Sequence, residues 1–280
     1  GLTPAFKMKF WNIGAEGQIL VGGAATAALM IYAGDSMPTP VLMILMFVAS
    51  LAAGMIWGII PAIFKAYFNT NETLFTLMLN YVAMQIVTFC IVYWENPAGS
   101  NTVGIINSAT RAGWLPALGG LTYGWNVLIV LAFTFGMYIY MKYSKQGYEV
   151  AVVGESQDTA RYARINVKRT IIRTMGISGG ICGIAGFLLV SGASHTISTS
   201  TAGGRGFTAI IVAWLSKFNA FVMILVSFFL VFMGKGAIQI ASQFNLNENA
   251  SDVITGIILF FILGSEFFIR YRIAFTKAHK

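Results

Sequence analysis

The sequence predicts an all-α protein, a polytopic transmembrane helical bundle with about eight spans of about 20 apolar residues each and one short helix outside the bilayer. Three observations carry this. Hydrophobic residues make up 57% of the 280-residue chain and charged residues 10%, whereas a soluble domain carries about 25% charge. The mean hydropathy is +0.73. The polar residues concentrate in one island, Lys142 to Arg173, which holds Lys142, Lys145, Arg161, Arg164, Lys168, Arg169 and Arg173 with Glu149, Glu155 and Asp158.

The elements follow in order. The first span is Ala15 to Ala33, rich in Gly and Ala, and Gly34 to Pro40 is a turn broken by Pro38 and Pro40. The second is Val41 to Phe64. The third, Thr73 to Trp94, is entered through Asn69-Thr-Asn-Glu72, which can cap a helix start. Glu95 to Gly124 is a long loop with only Glu95 and Arg111 charged, and Trp125 to Tyr143 is the fourth span. After the island come Ile171 to Ser191, a short segment Gly206 to Lys217, then Ala220 to Ile240 and Val253 to Ile269. Tyr93, Trp94, Trp114, Tyr123, Trp125, Tyr140 and Tyr143 stand near span ends, as interfacial aromatics do.

Charge sets the orientation. Short loops rich in Lys and Arg stay cytoplasmic, so the island is inside, as are Lys65 and the tail Arg270, Arg272, Lys277 and Lys280. That requires Gly206 to Lys217 to cross most of the bilayer as a short or broken helix. Val41-Leu-Met-Ile-Leu45 echoes Phe221-Val-Met-Ile-Leu225, Gly54 matches Gly234 at the same offset, and Asn71-Glu72 matches Asn247-Glu248. The two copies would enter from opposite sides, which is an inverted repeat or chance likeness between apolar helices. The chain opens on Gly1, so residues 1–280 are expected to be one transmembrane domain lacking an N-terminal part, with residues 144–170 as a loop inside it.

Several function classes fall away. The net charge is +8, but the basic residues lie between apolar spans and form no nucleic-acid motif. Cys90 and Cys182 lie in apolar runs and suggest neither a disulfide nor a metal site. Gly203-Gly-Arg-Gly-Phe207 and Gly234-Lys-Gly236 lack the phosphate-loop pattern, and no cofactor is implied. A membrane enzyme should cluster His, Asp or Glu, yet His195 and His279 fall on opposite sides of the predicted bilayer. Glu266 and Arg270 stand at i,i+4, the spacing of a local pair.

Asn12-Ile-Gly-Ala-Glu-Gly-Gln18 places Asn12, Glu16 and Gln18 at or within the apolar layer. An acid there faces a cavity or a partner, so one reading is the wall of a polar pathway. The other is a cap, with Glu16 at a helix N-terminus. Asn80, Gln85 and Thr88 form a polar stripe, as interhelix hydrogen-bond glue or as substrate contact. Within the island, Ser156 caps a short helix to about Ile165, with Glu155 and Asp158 at its start and Arg161 and Arg164 at its end. Ala160 and Ala163 share a small face, beside the apolar pair Tyr162 and Ile165. The segment reads as a docking helix for a partner's groove or as a basic loop on anionic lipid.

The run Gly154-Glu-Ser-Gln-Asp-Thr-Ala-Arg-Tyr-Ala-Arg-Ile-Asn-Val167 resembles the cytoplasmic coupling segment of ABC importer permeases of the ribose and branched-chain amino-acid superfamily. Arg164 stands where that family usually has Gly. Asn12 to Gln18, and Gly204-Arg-Gly-Phe207 before a short apolar segment, are similar to the nucleoside and simple-sugar branch. The resemblance implies a permease with no enzymatic activity of its own, in a bacterial-type inner (plasma) membrane. Its partners would be a separate ATP-binding cassette ATPase, a second permease subunit and an extracytoplasmic solute-binding lipoprotein. Gly154, Glu155, Asp158, Ala160, Tyr162, Ala163 and Ile165 would couple to the ATPase, and Asn12, Glu16, Gln18, Asn80, Gln85 and Phe207 would line the pathway. A branched-chain amino-acid permease is the alternative; a channel would have no use for a docking helix.

Overall fold

A computed structural model describes residues 1–244 and, beyond them, 253, 256–257, 260–261 and 264–265. The described residues form helices and loops without a strand: α1 (Thr3–Lys7), α2 (Ala15–Ala33), α3 (Thr39–Phe68), α4 (Glu72–Trp94), α5 (Gly124–Tyr143), α6 (Lys145–Glu155), α7 (Gln157–Tyr162), α8 (Val167–Leu189, continued by a π-turn through Ser194), α9 (Arg205–Leu215) and α10 (Ala220–Gln243). The chain divides into two compact units, Gly1–Ala213 and Trp214–Lys280.

Local chemistry sets the starts. Asn71 accepts from the Leu74 N–H at 3.2 Å to cap α4, Ser144 from Gly147 at 2.9 Å to cap α6, Ser156 from Thr159 at 3.2 Å to cap α7, and Asn166 from Arg169 at 3.1 Å to cap α8. Each side-chain oxygen satisfies an amide that the first turn leaves unpaired. Asn69 takes a left-handed conformation and ends α3. In the second unit Asn219 caps α10 through Phe221 and Val222.

The heart of the first unit is the trio α2, α3 and α8. Ser50, Gly54 and Gly58 make one face of α3, and a Cβ at Gly54 would overlap the Gly179 carbonyl. A Cβ at Gly22 or at Gly183 would likewise overlap the backbone of the opposing helix. Small residues at four-residue spacing let backbones meet, which is how helices associate where lipid is as apolar as they are. Gly22 lies against Gly183 and Gly23 against Val190, so α2 runs parallel to α8. Pro61 is tolerated inside α3, where neighbouring helices bury it.

Five described helices are long and apolar enough to cross a bilayer: α3, α4, α5, α8 with its π-turn, and α10. About eight are expected over the whole chain, and these five are those of the described residues. Predicted span one is a helix with the expected bounds, but its polar start is buried in the bundle and it is not among the five. Predicted segment six is an 11-residue helix, α9, about 16 Å long against a hydrocarbon core of about 30 Å. The eighth predicted span and the basic tail fall largely outside the described residues. So does Asn247-Glu248 of the echo. Gly54 and Gly234 do not share an environment, since no atom lies within 4 Å of where a Cβ at Gly234 would stand.

At the end away from the basic island, the loop after α4 clasps α8. The Ile106 N–H donates to the His195 carbonyl at 2.9 Å, Leu115 N–H to Ser191 at 3.1 Å, and the Ser191 hydroxyl to Gly113. The Trp114 indole stacks on the His195 imidazole with centroids 3.8 Å apart.

Candidate functional site: a buried polar knot and a basic end

Ser178 stands midway along α8, so whatever touches it lies near mid-depth of that helix. The Asn12 amide donates to the Ser178 hydroxyl and to the Gln18 amide oxygen, both at 3.4 Å, and Gln18 donates back to Asn12 at 3.4 Å. Asn12 and Gln18 are 0% and 1% exposed. Burying such amides is tolerable only because they satisfy one another. Asn12 also accepts from the Gly14 N–H at 3.0 Å and so shapes the turn into α2.

Asn80 of α4 closes the knot. Its oxygen accepts from the Gly17 N–H at 2.8 Å and its amide donates to the Ile13 carbonyl at 2.9 Å. It serves as helix glue on backbone groups. Gln85 does not join it, for it lies on the exposed face of α4 with Thr88. The predicted stripe is therefore split between two faces.

Glu16 has the most consequential placement. Its carboxylate accepts from the Gly204 N–H at 2.7 Å and the Gly206 N–H at 2.8 Å, and the residue is 4% exposed. It sits in the first turn of α2 and also caps the first turn of α9, so two helix starts share one negative charge. A Cβ at Gly206 would crowd the Glu16 backbone at 2.8 Å from Cα, which is why the approach needs Gly there. Phe207, in the same first turn of α9, is 41% exposed. No sequence period links Glu16 to a glycine turn so far along the chain.

At the basic end, α6 and α7 form an elbow. The predicted docking helix stops at Tyr162 rather than near Ile165. Arg164 adopts φ +59, which explains why a glycine suits that position. Ala160 and Ala163 do not share an open face: Ala160 is fully buried in a cluster with Ala5, Met8, Val150, Val153 and Met175, while Ala163 is exposed. Tyr162 is 90% exposed and Ile165 half-buried. Asp158 and Arg161 pair at 3.2 Å in solvent, a link of little weight. Glu155 is exposed. Gly154 is buried, and a Cβ there would overlap the carbonyl of Lys7 in α1. Sequence reading missed α6 as a separate helix, although Ser144 followed by Lys145 and Gln146 is a serviceable cap signal. It also missed the partly buried pair of Arg173 with Glu149 at 2.9 Å, which ties α8 to α6.

Among the described residues no group of three His, Cys, Asp or Glu can hold a metal ion. The protein-family model described as branched-chain amino acid transport system / permease component matches residues 1–263. The chain belongs to this permease family. It is similar to the glucose ABC transporter permease protein of Haloferax volcanii, 29% identical over 95% of this chain and 72% of that protein. It is 30% identical to the guanosine ABC transporter permease protein of Bacillus subtilis over 93% of this chain and 75% of that one. The nucleoside ABC transporter permease protein of Lactococcus lactis is 26% identical over 99% and 78%. No solved structure matches. The chain is thus the permease subunit of an ABC transporter and a multi-pass membrane protein.

Proposed function

We propose that this permease imports nucleosides or simple sugars, along a path that opens at the junction of α2 and α9. The observation that carries the reading is the Glu16 carboxylate holding the Gly204 and Gly206 amides at mid-depth. Helices that begin inside a membrane place polar groups where a substrate passes, and such breaks are tolerated only where they line a cavity or are covered by protein. In the present arrangement the knot is closed, and the path opens when α9 parts from α2. Asn12, Glu16 and Gln18 then offer acceptors and donors to a neutral, hydroxyl-rich cargo, with Phe207 beside them and Asn80 holding the backbone. Gln85 is left to a different face. Relatives carrying glucose, guanosine and nucleosides support this class of cargo.

The basic end is the cytoplasmic side of a bacterial-type plasma membrane, and a separate ATPase docks on α7. Tyr162, Ala163, Asp158 and Glu155 present the outer surface, while Gly154, Ala160 and Ile165 seat the elbow on α1 and α8. A second permease chain completes the path, and a solute-binding lipoprotein delivers cargo at the opposite face. The ATPase shifts the machine only by binding its inward and outward states with different affinity.

Uptake of radiolabelled guanosine, glucose and leucine by vesicles holding the assembled transporter tests the reading. Uptake of guanosine or glucose that depends on ATP is expected. Uptake of leucine alone would replace it with the branched-chain amino-acid reading. A cysteine at Ser156 should resist an impermeant thiol reagent added outside cells, while one at Ser100 should react.

A further inference from the structure

We propose that the cavity between the end of α3 and the start of α8 binds the phosphate headgroup of an anionic phospholipid in the leaflet at the basic end. The cavity has a volume of about 340 Å³ and is lined by Tyr67, Asn166, Lys168, Arg169, Ile172 and Arg173. That lies at the small end of ligand pockets. Three of its six lining residues are cations. Arg173 is held by Glu149 at 2.9 Å, which offsets one charge and fixes that wall. The Lys168 ammonium stands 4.5 Å over the Tyr67 ring, a contact that uses the ring face and leaves N–H donors for an acceptor. Arg169 makes no ion pair among the described residues, and its guanidinium is suited to bidentate phosphate contact. Two positive charges are therefore uncompensated at one opening.

The surroundings identify the source of the phosphate. Tyr67 and Phe68 end an apolar span and are 60% and 70% exposed. Ile172 and the Tyr67 ring supply an apolar wall beside the cations. A lipid uses both features, its phosphate on Lys168 and Arg169 and its glycerol and first methylenes along the rings. Basic pockets between transmembrane helices at the membrane surface hold headgroups in this way. A soluble anion has no use for the apolar rim.

Native mass spectrometry of the detergent-purified full chain tests this, with phosphatidylglycerol, phosphatidylcholine of the same acyl chains, and inorganic phosphate as probes. Phosphatidylglycerol should bind about tenfold more tightly than phosphatidylcholine. Lys168→Gln with Arg169→Gln should remove that preference, and the charge-keeping pair Lys168→Arg with Arg169→Lys should retain it. Lys145→Gln with Arg161→Gln removes the same charge from exposed positions and should leave it intact. Equal loss in both Gln pairs would reduce the effect to general electrostatics and overturn the site. Full displacement by millimolar inorganic phosphate would make it a free-anion site. If the Lys168/Arg169 Gln pair keeps its lipid preference but loses ATPase co-purification, the cavity is a protein contact and the proposal is wrong.

Discussion

α8 and α5 are both apolar enough to cross a membrane, yet most of α8 is buried among its neighbours and no residue of α5 is. Hydrophobicity does not separate them. Glycine does. Gly176, Gly179, Gly180, Gly183 and Gly186 lie along α8, and several of them meet another backbone where a side chain would stand. α5 has Gly136 with no atom within 4 Å of its missing Cβ. Its Val127, Leu128, Val130, Leu131 and Phe135 face outward. In a membrane an apolar side chain gains little by leaving lipid for protein, so van der Waals fit and hydrogen bonds decide which helix is central.

The comparison breaks most sharply at glycine. Gly183→Ala should destabilise the trio by about 3 kcal/mol, the upper end of overpacking costs, because its new methyl meets the Ser50 carbonyl. Gly136→Ala should be neutral or stabilise α5 by about 0.5–1 kcal/mol. Thermal unfolding in detergent reads both, and equal midpoints would remove glycine as the deciding feature.

Glu16→Gln comes next. Glutamine offers one acceptor and turns an N–H toward a backbone N–H, so one charge-assisted bond to α9 goes, weakening its anchor by about 1.5–3 kcal/mol. Faster hydrogen exchange at residues 204–213 is expected, with lower uptake per inserted transporter. Unchanged exchange would mean that the carboxylate does not hold α9.

At the elbow, the buried and exposed alanines should part company. Ala160→Arg forces a charge into the Val150 and Val153 cluster and should prevent folding. Ala163→Arg and Tyr162→Ala should leave the unfolding midpoint within about 0.5 kcal/mol of wild type while lowering ATPase co-purification. Normal co-purification in both would remove α7 as the docking helix. Arg164→Gly should stabilise the elbow by about 1 kcal/mol, since it relieves a left-handed side-chain residue.

The smallest effect is at His195. Burial pushes its pKa below the usual value, against an opposing hydrogen bond with the Ser191 backbone. Folding therefore favours the neutral ring. That contribution is present above about pH 6.5, the ordinary histidine value, and declines as pH falls below it. The unfolding midpoint should drop between pH 7.5 and 5.5, and His195→Phe, which keeps a ring against Trp114, should flatten the slope. An identical slope in the variant would place the titration elsewhere.

Much of the architecture was legible. α2 has the bounds that apolar run and turn signals predict, and α4 and α5 differ from prediction by a residue at their starts. Asn12, Glu16, Gln18 and Asn80 were picked out because buried polar groups in a membrane need partners. Their partners were not legible. Ser178, Gly204 and Gly206 lie more than a hundred residues away, and helical periodicity carries no information across loops. The stripe of Asn80 with Gln85 failed because a rough i,i+5 spacing spans two faces of α4. The shared face of Ala160 and Ala163 failed because the helix ends between them. An apolar run reveals hydrophobicity and length, but not whether lipid or protein surrounds it.

The contact of Gly154 with the Lys7 carbonyl has a mechanical consequence. With no side chain between the two backbones, nothing compressible separates the elbow from α1, and only a few residues run from Lys7 to Asn12 and Gly14. Under the proposed coupling, the N-terminal segment would act as a connecting rod. If α6 moves as the proposed coupling requires, the displacement would reach the base of α2, where Glu16 holds the start of α9, without being absorbed by rotamer changes along the way. In such a linkage the stroke at mid-depth is set by backbone geometry, and a single methyl at residue 154 would change its length.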